Sequence, residues 1–548
     1  MFPRRPRSPT ETSVFAETEK VHHFISHSVL WLQFVFSDIL KLLPHASNAT
    51  FDRGAIFLKD TRVHMFYEID DWLSKSDANV LWIHAPAGSG KSTLASELAR
   101  RLETDGSGRL GATFFCRIND ALSQDPNFVL PTIAFQLAYS CPPFMDAIAA
   151  ALRNEPHVGR QSVDNQFSRL IREPLRNMDR LDSQVIVVIL DAIDDCGDME
   201  SRQALLGCLE KEIKAPTLPK WFKLLITSRP AHDIRLALRG AVKLPIELDS
   251  ESNLRDLRRF IDDRMLDLVD VFDPDLPPGW PGEQRIDQID NLAQGLFQWV
   301  HHLYNFIRYS TDQDQSLDLV LSAEFKGGPT ERLYTLYTKT FGHICKDEPQ
   351  AFFEDYRLYV GRILAAKAPL TSSDFCSLFQ GSKMGVLRNI VWRFGSVLYM
   401  DGKGAIRVVH QSLLDFLTSS ELCVDQRLYI DLQVYDIAFA RACLGILSHT
   451  LKFNMCELPH AHHLLSELED LPSHLDTYLP KYLRYSCQFW AAHLHTIPKE
   501  HAEIYLFAQS FFHKRVFYWL EVLILLDDLE GALASLRDVQ KWVKVGKY

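Results

Sequence analysis

Ala87-Gly88-Ser89-Gly90 runs directly into Lys91, Ser92 and Thr93. Small residues of this kind let successive backbone N–H groups turn inward around phosphate oxygens. The lysine then reaches the β- and γ-phosphates, and the serine hydroxyl is left to hold Mg²⁺. The spacing predicts a phosphate-binding loop one glycine short of the pattern G-x-x-x-x-G-K-[ST]. Ala85 stands where the first glycine falls, and a positive φ there would strain an alanine. The flanks support the loop. Val80-Leu81-Trp82-Ile83-His84 reads as a short buried strand, and Leu94, Leu98 and Leu102 recur at helical spacing after it. A helix starting at the loop aims its positive end at the phosphates.

Such a loop needs a partner: a buried strand that ends in a carboxylate able to order Mg²⁺ and its water. Val185 to Leu190 followed by Asp191 supplies one, with Ala192-Ile193-Asp194-Asp195-Cys196 next. Asp191 is assigned to the metal together with Ser92, and Asp194 or Asp195 to the attacking water. A third element is Leu224-Leu225-Ile226-Thr227-Ser228-Arg229-Pro230, a buried strand whose terminal Arg229 is placed to sense a γ-phosphate.

These residues must be positioned by a protein of 548 residues, long enough for roughly three or four domains. Its formal net charge of −11 opposes non-specific binding to nucleic acid, which depends on neutralising phosphates with Lys and Arg. The ten cysteines are scattered without a C-x-x-C pair, which suits a reducing, cytoplasmic compartment. Cys456, His460, His462 and His463 cluster in sequence but lack the second paired half of a tetrahedral zinc site. Met1 to Ser13 has no apolar core and is not a secretory signal. The greasiest run, 29–36, is too short to span a membrane and reads as an amphipathic helix that docks on a partner surface.

Between Phe57 and Ser250 strand-like runs alternate with helical patterns, which predicts an α/β fold with a parallel sheet and helices on both faces. The strand candidates are Val80–His84, Ala112–Cys116, Val185–Leu190, Lys223–Thr227 and Val242–Ile246. The expected organisation is an N-terminal helical segment (1–50), a nucleotide-binding domain (51–250) and a helical subdomain (251–345). A subdomain of short helices (346–425) follows, with a hairpin, Ser396–Met400 with Ala405–His410, and a helix over Ser412–Leu417, and then a helical C-terminal region (426–548).

In this order the three elements resemble the NACHT branch of STAND signal-transduction NTPases, particularly fungal proteins with a nephrocystin-3-like N-terminal region. Further phrases carry the resemblance. Gly111 to Arg117 and Leu130 to Ala138 are similar to the family's second strand and following helix. Asp191-Ala192-Ile193-Asp194-Asp195-Cys196 resembles its D-A-L-D-E-C box, with Asp195 in place of Glu and so a shorter reach to a catalytic water. Gly295-Leu296-Phe297-Gln298-Trp299 looks like its helical-subdomain signature, and His410-Gln411-Ser412-Leu413-Leu414-Asp415-Phe416-Leu417 like its winged-helix phrase. The resemblance covers about 50 to 425 and continues more loosely to Leu523. It implies that the subdomain 346–425 is winged-helix-like, that His410 touches the β-phosphate of bound ADP and that Thr61-Arg62 lines the adenine pocket. It also implies a switch controlled by ATP and ADP with Mg²⁺ and slow hydrolysis, self-association when ATP-bound, and a role in fungal NLR-like self/non-self or stress signalling. Two other classes remain open: a metabolic phosphotransferase, and a non-hydrolysing adaptor or decoy that docks to full-length relatives. Adenine is preferred over guanine because no N-K-x-D or T-K-x-D stretch is present.

Overall fold

The computed structural model describes residues 39–51, 57–105, 108–117, 120–178, 185–272, 275–458, 471–495, 497–498 and 501–544. The apolar run 29–36 and three residues of the candidate zinc cluster, His460, His462 and His463, lie outside the described residues.

Five short runs of near-continuous apolar character form one parallel sheet: β1 (Val80–His84), β2 (Leu110–Phe115), β3 (Ile186–Asp191), β4 (Phe222–Ser228) and β5 (Val242–Pro245), in the order β2-β3-β4-β1-β5. The central strands β1, β3 and β4 are buried almost throughout, as a sheet covered on both faces requires. Their side chains alternate between two cores with the pleat. Trp82, Val188, Leu224 and Ile226 face α3 (Val129–Ser140) and α4 (Pro142–Asn154). Leu81, Ile83, Val187, Ile189 and Leu225 face α1 (Val63–Lys75) and α2 (Lys91–Thr104). On α2 the periodic Leu94, Leu98 and Leu102 are all buried, each contributing about 1.5–3 kcal/mol relative to exposure. Lys223, the second residue of β4, carries its charge to the turn before β1, where its Nζ donates to Ser76 O (2.6 Å) and Ala78 O (2.9 Å).

The parallel registers put the ends of three strands level: Ile83 pairs with Thr227, His84 with Ser228, and Leu190 with Ile226. The loop after β1, the acidic box after β3 and Arg229 after β4 therefore open at one carboxyl edge, where open α/β sheets bind ligands.

Beyond the sheet the described chain is mainly helical. The elements that matter for the site are α5 (Glu251–Phe272), α6 (Phe297–Arg308), α7 (Pro329–Ile344) and a hairpin–helix unit. That unit comprises β6 (Leu398–Met400), β7 (Ile406–Val408) and α8 (Gln411–Leu417). The hairpin is shorter than the sequence pattern suggests, because pairing stops at Val408 and His410 becomes the N-cap of α8. One continuous core runs from Leu257 to Trp542, so the helical segments share their packing instead of forming separate cores.

Candidate nucleotide site

The floor of the site is made by local geometry. Gly88 (φ 76°) and Gly90 (φ 88°) are left-handed, and Gly90 caps α2, with Leu94 N–H donating to Gly90 O. Ala85 escapes the strain expected of it. It continues β1, its N–H donating to Ser228 O at 3.3 Å, and it is not among the residues with positive φ. Lys91 is buried, its Nζ donating to Ala85 O (2.9 Å) and Pro86 O (2.8 Å). Burial pulls its ammonium below the ordinary lysine value, and Asp194 and Asp191 oppose that shift. Ala87 and Thr93 lie in the same loop and first turn, and Ser89 is fully buried with its hydroxyl on Pro86 O.

Asp191 ends β3 and is buried. Burial raises its pKa, opposed by hydrogen bonds from Ser92 and Thr227. The Thr227 hydroxyl donates to Asp191 Oδ1 at 2.5 Å and accepts from Ala192 N–H at 3.0 Å. It thereby braces Ala192, which turns left-handed (φ 56°) just as the chain leaves the strand. Ser92 and Asp191 are thus an adjacent hydroxyl and carboxylate beneath the loop, an oxygen-donor pair that fits Mg²⁺, which binds protein through few carboxylates and keeps several waters.

The remaining carboxylates gather around Arg229. Asp194 accepts from Arg229 N–H (3.0 Å) and lies 3.1 Å from its Nε. Asp195 stands 3.8 Å from Nη2. Burial, together with the charge of Asp194, pushes the Asp195 carboxyl up to about 7. Asp194 is therefore engaged with Arg229, and Asp195 is the less tightly held of the two carboxylates.

The roof comes from three distant segments. Gln298, at the start of α6, donates its N–H to Gly88 O (3.0 Å), and a Cβ on Gly88 would lie 2.6 Å from Gln298 Cβ. Gly295 (φ 81°) permits this approach, since a Cβ there would fall 2.0 Å from Leu248 O. The Gln298 side chain is hydrogen-bonded to the Tyr337 hydroxyl, which lies 2.8 Å from Ser412 Oγ. Ser412 Oγ in turn lies 2.8 Å from His410 Nδ1, and Ser412 N–H donates to that nitrogen at 3.1 Å. Nδ1 is therefore the acceptor, and Nε2 carries the ring proton. Burial, aided by the nearby charges of Arg229 and Lys91, holds His410 neutral with a pKa down to about 3. Five residues further along α8, Asp415 Oδ2 accepts from Arg229 Nη1 at 2.9 Å, across 186 residues of chain.

Arg62 is placed on the loop but is engaged with protein groups. It donates to Ser89 O (2.8 Å) and Asn253 Oδ1 (2.6 Å), and its guanidinium lies 4.8 Å from the Phe297 ring centroid. Its backbone N–H, at a left-handed residue (φ 55°), donates to Asp256 Oδ2. The expected site residues thus gather around the loop and the carboxyl ends of β3 and β4, Arg62 touching the loop through Ser89 O. Sequence reasoning missed Thr227, Gln298, Tyr337, Ser412 and Asp415 as members of the site, although all but Tyr337 lie within motifs it had singled out.

Residues 65–229 match the family described as Nephrocystin 3, N-terminal, a span that contains Lys91 and Asp191 and ends on Arg229. No curated protein matches the chain. Among solved structures, the chain is similar to a DNA replication initiation factor at 12% identity, over 55% of this chain and 83% of that one, with a TM-score of 0.22. It is also similar to a DNA polymerase III gamma subunit-related protein from Thermotoga maritima at 12% identity, over 60% and 99%, with a TM-score of 0.23. Likenesses this weak bear on neither function nor partners. Among the described residues no helix is long and apolar enough to cross a membrane. Residues 65–229 are thus similar to the nephrocystin 3 N-terminal family, and the sheet order with the loop, acidic box and arginine at one edge is that of a P-loop NTPase fold.

Proposed function

We propose that this chain is an ATP/ADP-controlled conformational switch of the STAND kind, with slow hydrolysis, acting in cytoplasmic fungal NLR-like self/non-self or stress signalling. One observation supports the reading: Asp415 on α8 pairs with Arg229 at the sheet edge, and His410, the N-cap of α8, lies close enough for the charges of Arg229 and Lys91 to help depress its pKa. In the proposed cycle Lys91 and the loop N–H groups hold the phosphates, His410 Nε2 donates to a β-phosphate oxygen, and the winged-helix-like unit stays docked. Mg²⁺ held by Ser92 and Asp191 would neutralise phosphate charge, and Arg62 would line the adenine end of the cleft. Exchange of ADP for ATP shifts the chain towards an open form that self-associates, to the extent that the two nucleotides differ in affinity for the two forms.

A second reading, a non-hydrolysing adaptor, is favoured by the commitment of Asp194 to Arg229, which leaves the short Asp195 alone for the water. The identity of the nucleotide that co-purifies, followed by a turnover assay with and without oligomer formation, separates the two. Slow turnover linked to assembly supports the switch, and bound nucleotide with no turnover supports the adaptor. A chain that neither carries nor binds ATP or ADP contradicts both.

A further inference from the structure

The contact between Arg229 and Asp415 has a consequence for which nucleotide the closed form accepts. Arg229 ends the strand between the loop strand and the acidic-box strand, where its guanidinium can meet a phosphate beyond the one held by Lys91. It is already spoken for. Nη1 is 2.9 Å from Asp415 Oδ2, Nε is 3.1 Å from Asp194, and Nη2 is 3.8 Å from Asp195. Asp415 is held in place from its other oxygen, Oδ1, which accepts from Gln411 Nε2 at 3.2 Å. Asp194 and Asp195 belong to the sheet domain and stay beside Arg229 whatever α8 does. Asp415 alone among these three carboxylates arrives with the roof.

Resting on the reading of the cleft as a nucleotide site, we propose that Asp415 is the residue that sets phosphate-count selectivity. Its carboxylate occupies the face of Arg229 that a γ-phosphate would need, so the docked form admits a nucleoside diphosphate and rejects the triphosphate. The rejection has two parts. A third phosphate would meet the negative charge of Asp415 at close range, and Arg229 would have to leave one carboxylate partner before it could pair with the newcomer. A diphosphate, held by the loop, Lys91 and His410, pays neither cost. The same pair then works in reverse: displacing Asp415 from Arg229 is the step through which a triphosphate loosens α8.

The test uses the full chain with Mg²⁺ and measures equilibrium affinity for ADP and for a non-hydrolysable ATP analogue. The wild type is compared with Asp415→Asn, which keeps the shape and removes the charge, and with Asp415→Glu, which keeps the charge. Asp415→Ser is a second neutral variant should the amide disturb folding. In the neutral variants analogue affinity should rise by about 10- to 100-fold, the range set by gaining one charge-assisted contact. ADP affinity should fall by no more than about 5-fold, the loss of one partly exposed ion pair from the docked form, and Asp415→Glu should keep the wild-type preference. An unchanged ADP-to-analogue ratio in the neutral variants overturns the proposal. So does a ratio that collapses only because ADP affinity falls, since Asp415 would then be a latch for the fold and not a selector. Binding of neither nucleotide by the unmodified chain fails the nucleotide reading itself, a result distinguishable from both.

Discussion

On the sheet side of the cleft the functional groups are held by backbone. Gly88 and Gly90 shape the loop, β1 and β4 carry Ala85 into register, and Thr227 pins both Asp191 and the turn after it. On the opposite side the groups are held by one another: Gly88 O to Gln298, Gln298 to Tyr337, Tyr337 to Ser412, Ser412 to His410, with Arg229 and Asp415 as the ion pair beside them. A side built into strand ends persists as long as the sheet does. A side held by a few side-chain hydrogen bonds and one partly exposed ion pair can separate at modest cost, since such contacts contribute about 0.5–3 kcal/mol each. On the proposed reading the difference divides the work: the floor would bind the nucleotide, and the roof would report which one is bound.

Lys91→Ala strikes the floor and should abolish binding of a fluorescent ADP analogue while the circular dichroism spectrum stays that of the wild type. Affinity that survives this change would remove the floor from the comparison altogether. The acidic box divides next. Asp191→Asn should weaken Mg²⁺-dependent binding. Asp195→Asn should retain ATP and lose about 10²–10⁴-fold in turnover, the range for a positioned acid–base group. Equal loss of binding in both variants would mean that the two carboxylates share one role.

Gly88→Ala sharpens the comparison because it touches both sides. It strains the left-handed loop by about 1–2 kcal/mol and drives a methyl group into Gln298 Cβ, so ADP should bind about 10-fold more weakly or worse. Hydrogen exchange over 406–417 should rise in the same variant as α8 undocks, and unchanged protection there would uncouple loop from roof. The smallest effect expected is that of acid. His302, fully buried with its Nε2 3.0 Å from the Thr340 hydroxyl, and His410 both have pKa values brought down to about 3. The unfolded chain takes up protons near pH 6.5 and the folded chain does not, so stability falls with acid from about pH 6.5 downwards, by on the order of 1–2 kcal/mol per histidine at pH 5. Asp195, raised to about 7, pulls the other way over the same range, so the check is a comparison. The loss of stability between pH 7 and 5 should shrink by about 1–2 kcal/mol in His302→Gln, and an unchanged loss would contradict burial of that ring as a neutral species.

The loop was legible from sequence because strand, loop and helix are adjacent in the chain, so spacing places Lys91 and Ser92; Asp191, on another strand, was legible because it ends the apolar run Val185–Leu190. The strand ends were found to within about two residues, and the one expectation of strain, at Ala85, failed because the loop turns later, at Gly88. The roof was legible only as phrases. Gly295 to Trp299 and His410 to Leu417 stood out, yet nothing local says that Gln298 lies on Gly88 or that Asp415 meets Arg229, a pairing across 186 residues. Thr227 carries no sequence signal of its role, because its partner, Asp191, sits on the neighbouring strand and not in its own. The role expected of Arg62 depended on a fold-level likeness, while its contacts depend on Asn253 and Phe297, which no pattern near residue 62 predicts.

The central claim is that the roof senses bound nucleotide through His410. Its most direct test is the affinity of wild type and His410→Ala for ADP and for ATP, with size-exclusion chromatography in parallel. Removing a β-phosphate contact made only in the docked form should weaken ADP by about 10- to 150-fold. It should change ATP far less and raise the self-associated fraction. Equal losses for both nucleotides, or no change in either, would leave His410 as a packing residue and contradict the account.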